Sequence, residues 1–466
     1  MESPDAPAEP VLPPPKLTRN WWTWLVFGAL AGLVVASNLG AIFDPKARAE
    51  ADPAAAEIQA APTALKQFAA MEDLKRLAKQ TGSRSPDAGL DGSESSLDGT
   101  IRSLKAKSSV SDGAAEWLLA LQAVNGETLD RSAIDKLLKS EDPGSQRIGQ
   151  SFAGELSDPS QIHGDDPPQN VARWIASHPG EDKVPVEATG VKVNAIAFAA
   201  IFGYLAAIFL GGVASIVAYI VLKKGGSLPA RGYQTGLSLA GTDARGGRMA
   251  IYFGVFLTIS AIPSVLAAAV PSLKGALIPM LAGVYVVMIL LTPVFCTIPL
   301  FGDRIAFRGI IGDRSDLLKK LGWGLCGYMA NFPLFLLALL VTAPLQKVLP
   351  PPSHEIIEMV KGSNPINQLL LYFVAAAAAP LIEEPMFRGV LFPALQRLFA
   401  SPTMAIILTG CVFGVIHPQG PALWLPLALI GMTAAVLTRQ TGSLIPAILM
   451  HFLHNTTIYI FSLILA

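Results

Sequence analysis

Charge and cysteine are both scarce in this sequence. Only 15% of its 466 residues are charged, against about 25% in an average soluble protein. The 35 basic and 35 acidic side chains cancel, which excludes the basic excess expected of a nucleic-acid-binding protein. The three cysteines follow no CxxC or metal-ligand spacing. They exclude a disulfide scaffold, and we expect them to behave as small apolar residues.

Apolar residues, in contrast, are plentiful and lie in long runs. They make up 52% of the sequence, and a run of about 20 such residues can cross a bilayer as a helix. The predicted fold class is therefore all-α: a polytopic membrane bundle of about nine transmembrane helices with an inserted helical soluble domain. The predicted spans are residues 21–43, 193–222, 249–270, 276–300, 322–345, 367–387, 404–418, 422–438 and 442–465.

The N-terminal region combines a polar tail with the first apolar run. Residues 1–20 are rich in proline and polar side chains, which predicts a disordered cytoplasmic tail. The run 21–43 opens with a cluster of tryptophans, a residue that favours the membrane interface. It is also long for the apolar part of a cleaved signal peptide. We therefore expect an uncleaved signal anchor, with a signal peptide as the alternative.

Residues 44–190 differ from the rest, because they hold most of the acidic residues and no cysteine. Amphipathic patches occur at 64–77, 114–124 and 133–138, and they predict a small helical domain. A helical-repeat arrangement is the alternative, although no fixed period is evident. The turn signals that separate the patches are Asp91-Gly92, Asn125-Gly126 and Pro143-Gly144.

Basic residues predict the orientation in the membrane, since loops rich in lysine and arginine remain in the cytoplasm. Two such loops lie two predicted helices apart and therefore agree on one side. The N-terminus is then cytoplasmic and 44–190 is extracytoplasmic. A bacterial inner membrane fits these features, with a eukaryotic internal membrane as the alternative. The basic residues are Lys223, Lys224, Arg231, Arg245, Arg248, Arg304, Arg308, Arg314, Lys319 and Lys320.

Two adjacent carboxylates stand out near the C-terminus. Glu383 and Glu384 end an otherwise apolar run, and a charge at membrane depth costs at least about 2.5–3.5 kcal/mol. Arg388 follows Glu384 by four residues, so the two share a helix face and can pair. Glu383 is rotated by about 100° and is free to face a cavity. A carboxylate in such a place could act as a general base.

Histidines and an asparagine occur on the following apolar spans. His417 ends one span, and with Glu383 it suits the activation of a water. His451 and Asn455 lie four residues apart on the last span. Both can donate hydrogen bonds from one helix face, which suits stabilisation of an oxyanion.

Each of these features also has a purely structural explanation. A Glu–Arg pair is often structural, a membrane histidine such as His454 is often a packed residue, and Asn455 could join two helices. The occurrence of two glutamates, an arginine, two histidines and an asparagine together on three apolar helices is what indicates a functional site. Other protease motifs are missing: His354 and Glu355 begin like an HExxH zinc motif, but Glu358 stands where the second histidine should be.

The pattern Glu383-Glu384-x-x-x-Arg388, Phe413-x-x-x-His417 and His451-x-x-x-Asn455 resembles the three-motif signature of the CPBP family. These are the CAAX-protease and bacteriocin-processing (ABI) intramembrane proteases, which include the prenyl endopeptidase Rce1. The resemblance covers residues 365–466 and does not extend to 44–190.

The resemblance implies a role for each matching residue. Glu383 would be the general base acting with His417, while His451 and Asn455 would form the oxyanion hole. Glu384 and Arg388 would orient the site. Two mechanisms stay open at this point. Glu383, His417 and His451 could be zinc ligands with an open water position. The alternative is a glutamate-dependent protease without a metal, which Asn455 favours because amides are poor zinc ligands.

The function that follows is a membrane-embedded endopeptidase for a peptide or membrane-protein substrate within the lipid bilayer, with no nucleic-acid partner. Prenylation of the substrate does not follow from the sequence. The main alternative is a non-catalytic immunity or scaffold protein with the same fold. A proton-coupled transporter would be expected to show repeated halves, and none is evident. The 44–190 domain could capture substrates or bind a partner protein that gates the protease.

Overall fold

The computed structural model describes most of the chain. The described residues are 22–43, 54–81, 91–156, 158–181, 183–191, 195–228, 242–297, 307–312, 314–344, 359–360, 363–399 and 401–465. Two sequence predictions lie outside them, the disordered tail 1–20 and the HExxH-like stretch that begins at His354.

Helices dominate the described residues, in which the only β-pairing is an isolated bridge between Gly312 and Ser443. The all-α prediction is therefore confirmed for this part of the chain. The helices are α1 (Trp22–Phe43), α2 (Ala55–Thr81), α3 (Asp91–Lys105), α4 (Asp112–Asn125), α5 (Arg131–Leu138), α6 (Pro143–Phe152), α7 (Pro167–Ser177), α8 (Ala195–Lys224), α9 (Thr242–Ala269), α10 (Leu277–Thr297), α11 (Leu317–Thr342), α12 (365–399), α13 (Pro402–Val415), α14 (Trp424–Thr441) and α15 (Ile445–Leu465).

The helices fall into two compact units. Helices α2–α7 belong to the first, and α1, most of α8 and α9–α15 belong to the second. The first unit has its own apolar core, in which α4 is central because ten of its 14 residues are buried. Capping side chains start its short helices: Ser111 accepts from the Ala114 amide at the start of α4, and Asp142 accepts from the Ser145 amide in α6.

The amphipathic patches at 64–77, 114–124 and 133–138 all lie inside helices of this unit, as predicted. One turn signal is also right, since Gly126 ends α4 with a φ of 76° that favours glycine. The other two are wrong. Asp91-Gly92 begins α3, and Pro143 is the first residue of α6. A proline at the first helical position is tolerated because its missing N–H would have no partner inside the helix.

Among the described helices of the second unit, six are long and apolar enough to cross a membrane. They lie at Ala199–Lys224, Gly246–Ala269, Leu277–Thr297, Leu317–Thr342, Pro365–Gln396 and Pro421–Thr441. Two shorter apolar helices lie at Trp22–Ser37 and Pro402–Val415. The prediction of about nine spans is thus supported for six of the described helices, while its remaining spans and the inserted character of 44–190 stay predictions.

The predicted basic loops are shorter than expected, because helices extend into them. Lys223 and Lys224 are the last residues of α8, and Lys320 lies in the first turns of α11. Arg248 is fully buried within α9 instead of lying in a loop. Arg231 and Arg304 lie outside the described residues.

Helix α12 carries the adjacent glutamates and is irregular. It runs from an α-helical start through a π-helical stretch (Phe373–Ala378), an α-helical turn (Ala379–Glu384) and a second π-helical stretch (Pro385–Leu391) before an α-helical end. In a π-helix the main-chain hydrogen bonds shift to i→i+5, and such stretches often occur at functional sites. The glutamate pair therefore lies between two shifts of the hydrogen-bond register.

Candidate active site

Three elements bring the predicted residues together. Helix α12 contributes Glu383, Glu384 and Arg388, the segment after α13 contributes His417, and α15 contributes His451. These five side chains form one connected cluster through the contacts described below. The cluster lies in the core of the second unit, where neighbours such as Phe387 and Phe413 are buried.

Glu384 and Arg388 form the predicted i,i+4 pair. Arg388 Nη1 donates to Glu384 Oε1 at 3.1 Å, and both side chains are fully buried. Arg388 Nη2 also donates to the Gly431 carbonyl on α14 at 3.0 Å. A buried ion pair gains from low dielectric but costs desolvation, so these additional hydrogen bonds matter for its stability.

His451 is held by the same carboxylate. Its Nδ1 lies 2.8 Å from Glu384 Oε1. Because an ionised carboxylate can only accept, we assign the proton to Nδ1. Nε2 of a neutral His451 then carries a lone pair, and it lies 4.0 Å from Glu383 Oε2. Glu384 thus fixes the tautomer of His451 and turns its Nε2 towards Glu383.

His417 has the same arrangement with a different partner. Its Nδ1 contacts the Phe413 carbonyl, which can only accept, so Nδ1 carries the proton. Its Nε2 lies 3.8 Å from Glu383 Oε2. The Glu383 oxygen is buried and has no hydrogen-bond partner among the described residues. Two imidazole lone pairs and one carboxylate oxygen therefore converge on one place.

Phe413 packs against three charged or titratable groups of the cluster. Its ring centroid lies 4.6 Å from the Arg388 guanidinium carbon, within the range of a cation–π interaction. The same ring lies 4.3 Å from the His417 ring and 5.7 Å from the His451 ring, between centroids. The phenylalanine of the second motif thus shields the site from the side of α13.

A glycine makes room for this arrangement. A Cβ on Gly431 would lie 2.8 Å from Gly410 Cα, 3.1 Å from Phe413 Cβ and 3.2 Å from Arg388 Nη2. Helices α13 and α14 can therefore approach closely only because both positions lack a side chain, as small residues allow in membrane bundles.

Asn455 lies further along α15 and contacts a different part of α12. Its Nδ2 donates to the Ala375 carbonyl at 2.8 Å, within the first π-helical stretch. One amide N–H is thus used to hold the backbone of α12, while the second is left for another acceptor. This hydrogen bond agrees with the structural explanation of Asn455 as a residue that joins two helices, and its role in an oxyanion hole stays a prediction.

All six predicted residues lie within one segment that resembles a known protein family. Residues 365–457 match the model of a family described as type II CAAX prenyl endopeptidase Rce1-like. This segment is Rce1-like. The match covers about one fifth of the chain and agrees with the CPBP resemblance of the sequence motifs. No curated protein and no solved structure matches the chain significantly.

The Rce1-like segment does not have the spacing of a metal site. Ligands around a tetrahedral zinc lie about 3.4 Å apart when its bonds are about 2.0–2.1 Å, and the oxygen–nitrogen distances here are 3.8 and 4.0 Å. Among the described residues, no group of three His, Cys, Asp or Glu side chains could hold a metal ion. The zinc set Glu383, His417 and His451 is therefore not supported.

A polar residue outside the Rce1-like segment also reaches α12. Tyr252 on α9 donates to the Ile382 carbonyl, next to Glu383, and its hydroxyl is hydrogen-bonded to Thr292 on α10. Sequence reasoning missed both, because a single hydroxyl in an apolar span has no local pattern that reveals its partner.

An apolar cavity of about 310 Å³ lies on another face of α12. Ala377 and Leu381 of α12, Leu321 of α11 and four residues of α15 line it: Ile445, Ile448, Leu449 and Phe452. None of the predicted site residues lines this cavity, so its position does not mark the reaction centre.

Proposed function

We propose that the protein is a membrane-embedded endopeptidase in which Glu383 activates water. The observation that carries the proposal is the position of Glu383 Oε2, which is buried and lies within 4.0 Å of the Nε2 atoms of both His417 and His451. All three atoms accept hydrogen bonds in the assigned tautomers. A water molecule, which donates two hydrogen bonds, matches such a set of acceptors.

The reaction is a hydrolysis. Glu383 takes a proton from the water while the water oxygen bonds to the carbonyl carbon of the peptide. The carbonyl oxygen becomes an oxyanion, the C–N bond then breaks, and the proton passes to the departing amine. His417 faces the same oxygen of Glu383, so it can share the proton during this step.

His451 and Asn455 serve the oxyanion in this proposal. Nε2 of the neutral His451 carries a lone pair before the reaction, so His451 can donate there only after Nε2 has taken a proton during the reaction. The second N–H of Asn455 is the other donor. The line Arg388–Glu384–His451 would then orient the oxyanion donor.

The substrate is proposed to be a peptide or membrane protein within the bilayer. The Rce1-like match makes a prenylated substrate one candidate, although no contact in the site depends on a prenyl group. We further propose a multi-pass protein of a bacterial inner membrane, with a cytoplasmic N-terminus and 44–190 outside the cytoplasm.

The direct test of this activity uses water enriched in heavy oxygen. The purified protein is incubated with membrane-anchored peptides, and the products are examined by mass spectrometry. Hydrolysis incorporates one heavy oxygen into each new C-terminal carboxylate. Intact peptides, with a chain that still folds and inserts, would support a non-catalytic binding protein instead.

A further inference from the structure

A tyrosine from another helix reaches the backbone beside the proposed base, and a threonine from a third helix contacts the hydroxyl of this tyrosine. Tyr252 Oη lies 2.8 Å from the Ile382 carbonyl oxygen and 2.6 Å from Thr292 Oγ1. Tyr252 and Ile382 are both fully buried, and Thr292 is nearly so. Ile382 directly precedes Glu383, so this contact is made one residue before the carboxylate that faces the two histidines.

The direction of these hydrogen bonds follows from the atoms involved. A carbonyl only accepts, so the Tyr252 hydroxyl must donate to Ile382. Its proton is then in use, and Thr292 must be the donor of the bond between the two hydroxyls. Thr292 Oγ1 also lies 2.9 Å from the Met288 carbonyl, which offers an alternative acceptor. When Thr292 donates to Tyr252, the two bonds point the same way, and each polarises the next.

The backbone of α12 is irregular at this place. Pro385 has no N–H, and the π-helical stretch that begins there shifts the main-chain register. A side-chain hydrogen bond to a buried carbonyl here adds a contact that can fix the position of this irregular backbone. Asn455 does the same for Ala375 in the first π-helical stretch. One external donor thus contacts the first π-helical stretch, and another contacts the α-helical turn Ala379–Glu384 that carries the glutamates.

We propose that Tyr252, supported by Thr292, is a positioning residue that sets the place of Glu383 relative to His417 and His451. This inference rests on the proposed function and deepens it. Tyr252 touches neither the proposed base nor the histidines by a hydrogen bond; it acts through the peptide that precedes Glu383. Both residues lie outside the Rce1-like match at 365–457, so this hydrogen-bonded pair belongs to the part of the bundle that the match does not cover.

The test removes single hydroxyl groups. Tyr252→Phe should lower kcat about 10- to 100-fold, the effect of a small misplacement of a reacting group, while KM stays within about twofold. Thr292→Val should have a weaker effect in the same direction, and Thr292→Ser should restore the wild-type rate because it keeps the donor. Hydrogen exchange of the amides in 379–391 should be faster in Tyr252→Phe.

Tyr328→Phe is the matched control. Tyr328 is buried, and its hydroxyl is hydrogen-bonded to Thr457 Oγ1 on α15. It should leave kcat and exchange in 379–391 unchanged. If Tyr252→Phe folds and keeps both wild-type kcat and wild-type exchange, the proposal is wrong. Should Tyr252→Phe fail to fold, the contrast between Thr292→Val and Thr292→Ser decides the question.

The exchange measurement separates this proposal from the proposed function. If the wild type cleaves nothing, the endopeptidase proposal fails, yet faster exchange in Tyr252→Phe would still show that Tyr252 holds this backbone. If the wild type cleaves and Tyr252→Phe cleaves equally well, the endopeptidase stands and the positioning role is overturned.

Discussion

Glu384 Oε1 lies 2.8 Å from His451 Nδ1 and joins two motifs that are 67 residues apart in the sequence. The same oxygen accepts from Arg388. One carboxylate atom therefore neutralises a buried guanidinium and fixes the tautomer of an imidazole. The neighbouring Glu383 faces the Nε2 atoms of both histidines. Two adjacent glutamates therefore have different roles: Glu384 holds Arg388 and His451, and Glu383 faces the place where the histidines converge.

Removing one partner of the Glu384–Arg388 pair should lower the free energy of unfolding more than expected from the loss seen when both partners are replaced. Glu384→Gln or Arg388→Met alone leaves a fully buried charge without its counter-charge, which typically costs about 3–5 kcal/mol. The double variant leaves no such charge, so its loss of stability should be smaller than the sum of the single losses. Thermal unfolding in detergent at one protein concentration measures all four proteins. Strictly additive losses would contradict the description of the pair as coupled.

Gly431→Ala should destabilise the second unit. The added Cβ would meet Gly410 Cα at 2.8 Å, and such overpacking typically costs about 1–3 kcal/mol. Gly322→Ala is the control, because its Cβ would have nothing within 4 Å and alanine favours a helix over glycine by about 1 kcal/mol. The melting temperature of Gly431→Ala should therefore fall below that of the wild type, and the melting temperature of Gly322→Ala should rise above it. Equal shifts would show that the α13–α14 approach is looser than described.

Asn455→Ala should speed hydrogen exchange in residues 373–378, because the Ala375 carbonyl loses its donor. Cleavage should also fall, by about 100- to 1,000-fold if the second N–H serves the oxyanion. Thr457→Val lies on the same helix and loses a hydrogen bond to Tyr328 instead, so it should leave exchange in 373–378 unchanged. Slow cleavage without faster exchange would assign Asn455 to the oxyanion alone.

Glu116 makes the stability of the first unit depend on pH. Burial raises the pKa of Glu116, against the lowering effect of the Ser145 hydrogen bond. A carboxyl whose pKa is raised by folding contributes stability below its unfolded pKa of about 4.3, and this contribution is lost as the pH rises through the folded value. Glu116→Gln should therefore gain stability relative to the wild type as the pH rises from about 4 to about 7.

The measurement is hydrogen exchange in α4, with variant and wild type compared at each pH. Glu155→Gln, at an exposed position, is the control and should show no such trend. A stability difference between Glu116→Gln and the wild type that stays the same at every pH would contradict the assignment.

Short-range patterns in the sequence predicted much of this architecture. The apolar runs located the long helices, and the four-residue spacing of Glu384 and Arg388 predicted their buried pair. The proximity of Glu383 and His417 was also expected, and their Nε2–Oε2 distance is 3.8 Å. The prediction of the pair succeeds because helical periodicity places residues on defined faces, whereas the proximity of Glu383 and His417 was expected from the chemistry of the two side chains.

Long-range features could not be predicted in this way. Tyr252 and Asn455 donate from other helices to carbonyls of α12, and no local pattern links these donors to their acceptors. Glu384 was expected to pair with Arg388 alone, yet it also holds His451. Arg248 was expected in a loop but is buried in α9, because helical structure there begins several residues earlier than the apolar run.

The most direct test of the account is the cleavage rate of Glu383→Gln, measured beside the wild type and His454→Gln after treatment of each with a chelator. The substitution Glu383→Gln keeps the size of the side chain, but an amide cannot take the proton of the water. His454 packs against Phe335 one turn from His451 and is outside the proposed machinery. The account predicts that Glu383→Gln loses at least about 100-fold in rate, while wild type and His454→Gln stay active in chelator. A Glu383→Gln variant that cleaves at the wild-type rate would contradict it.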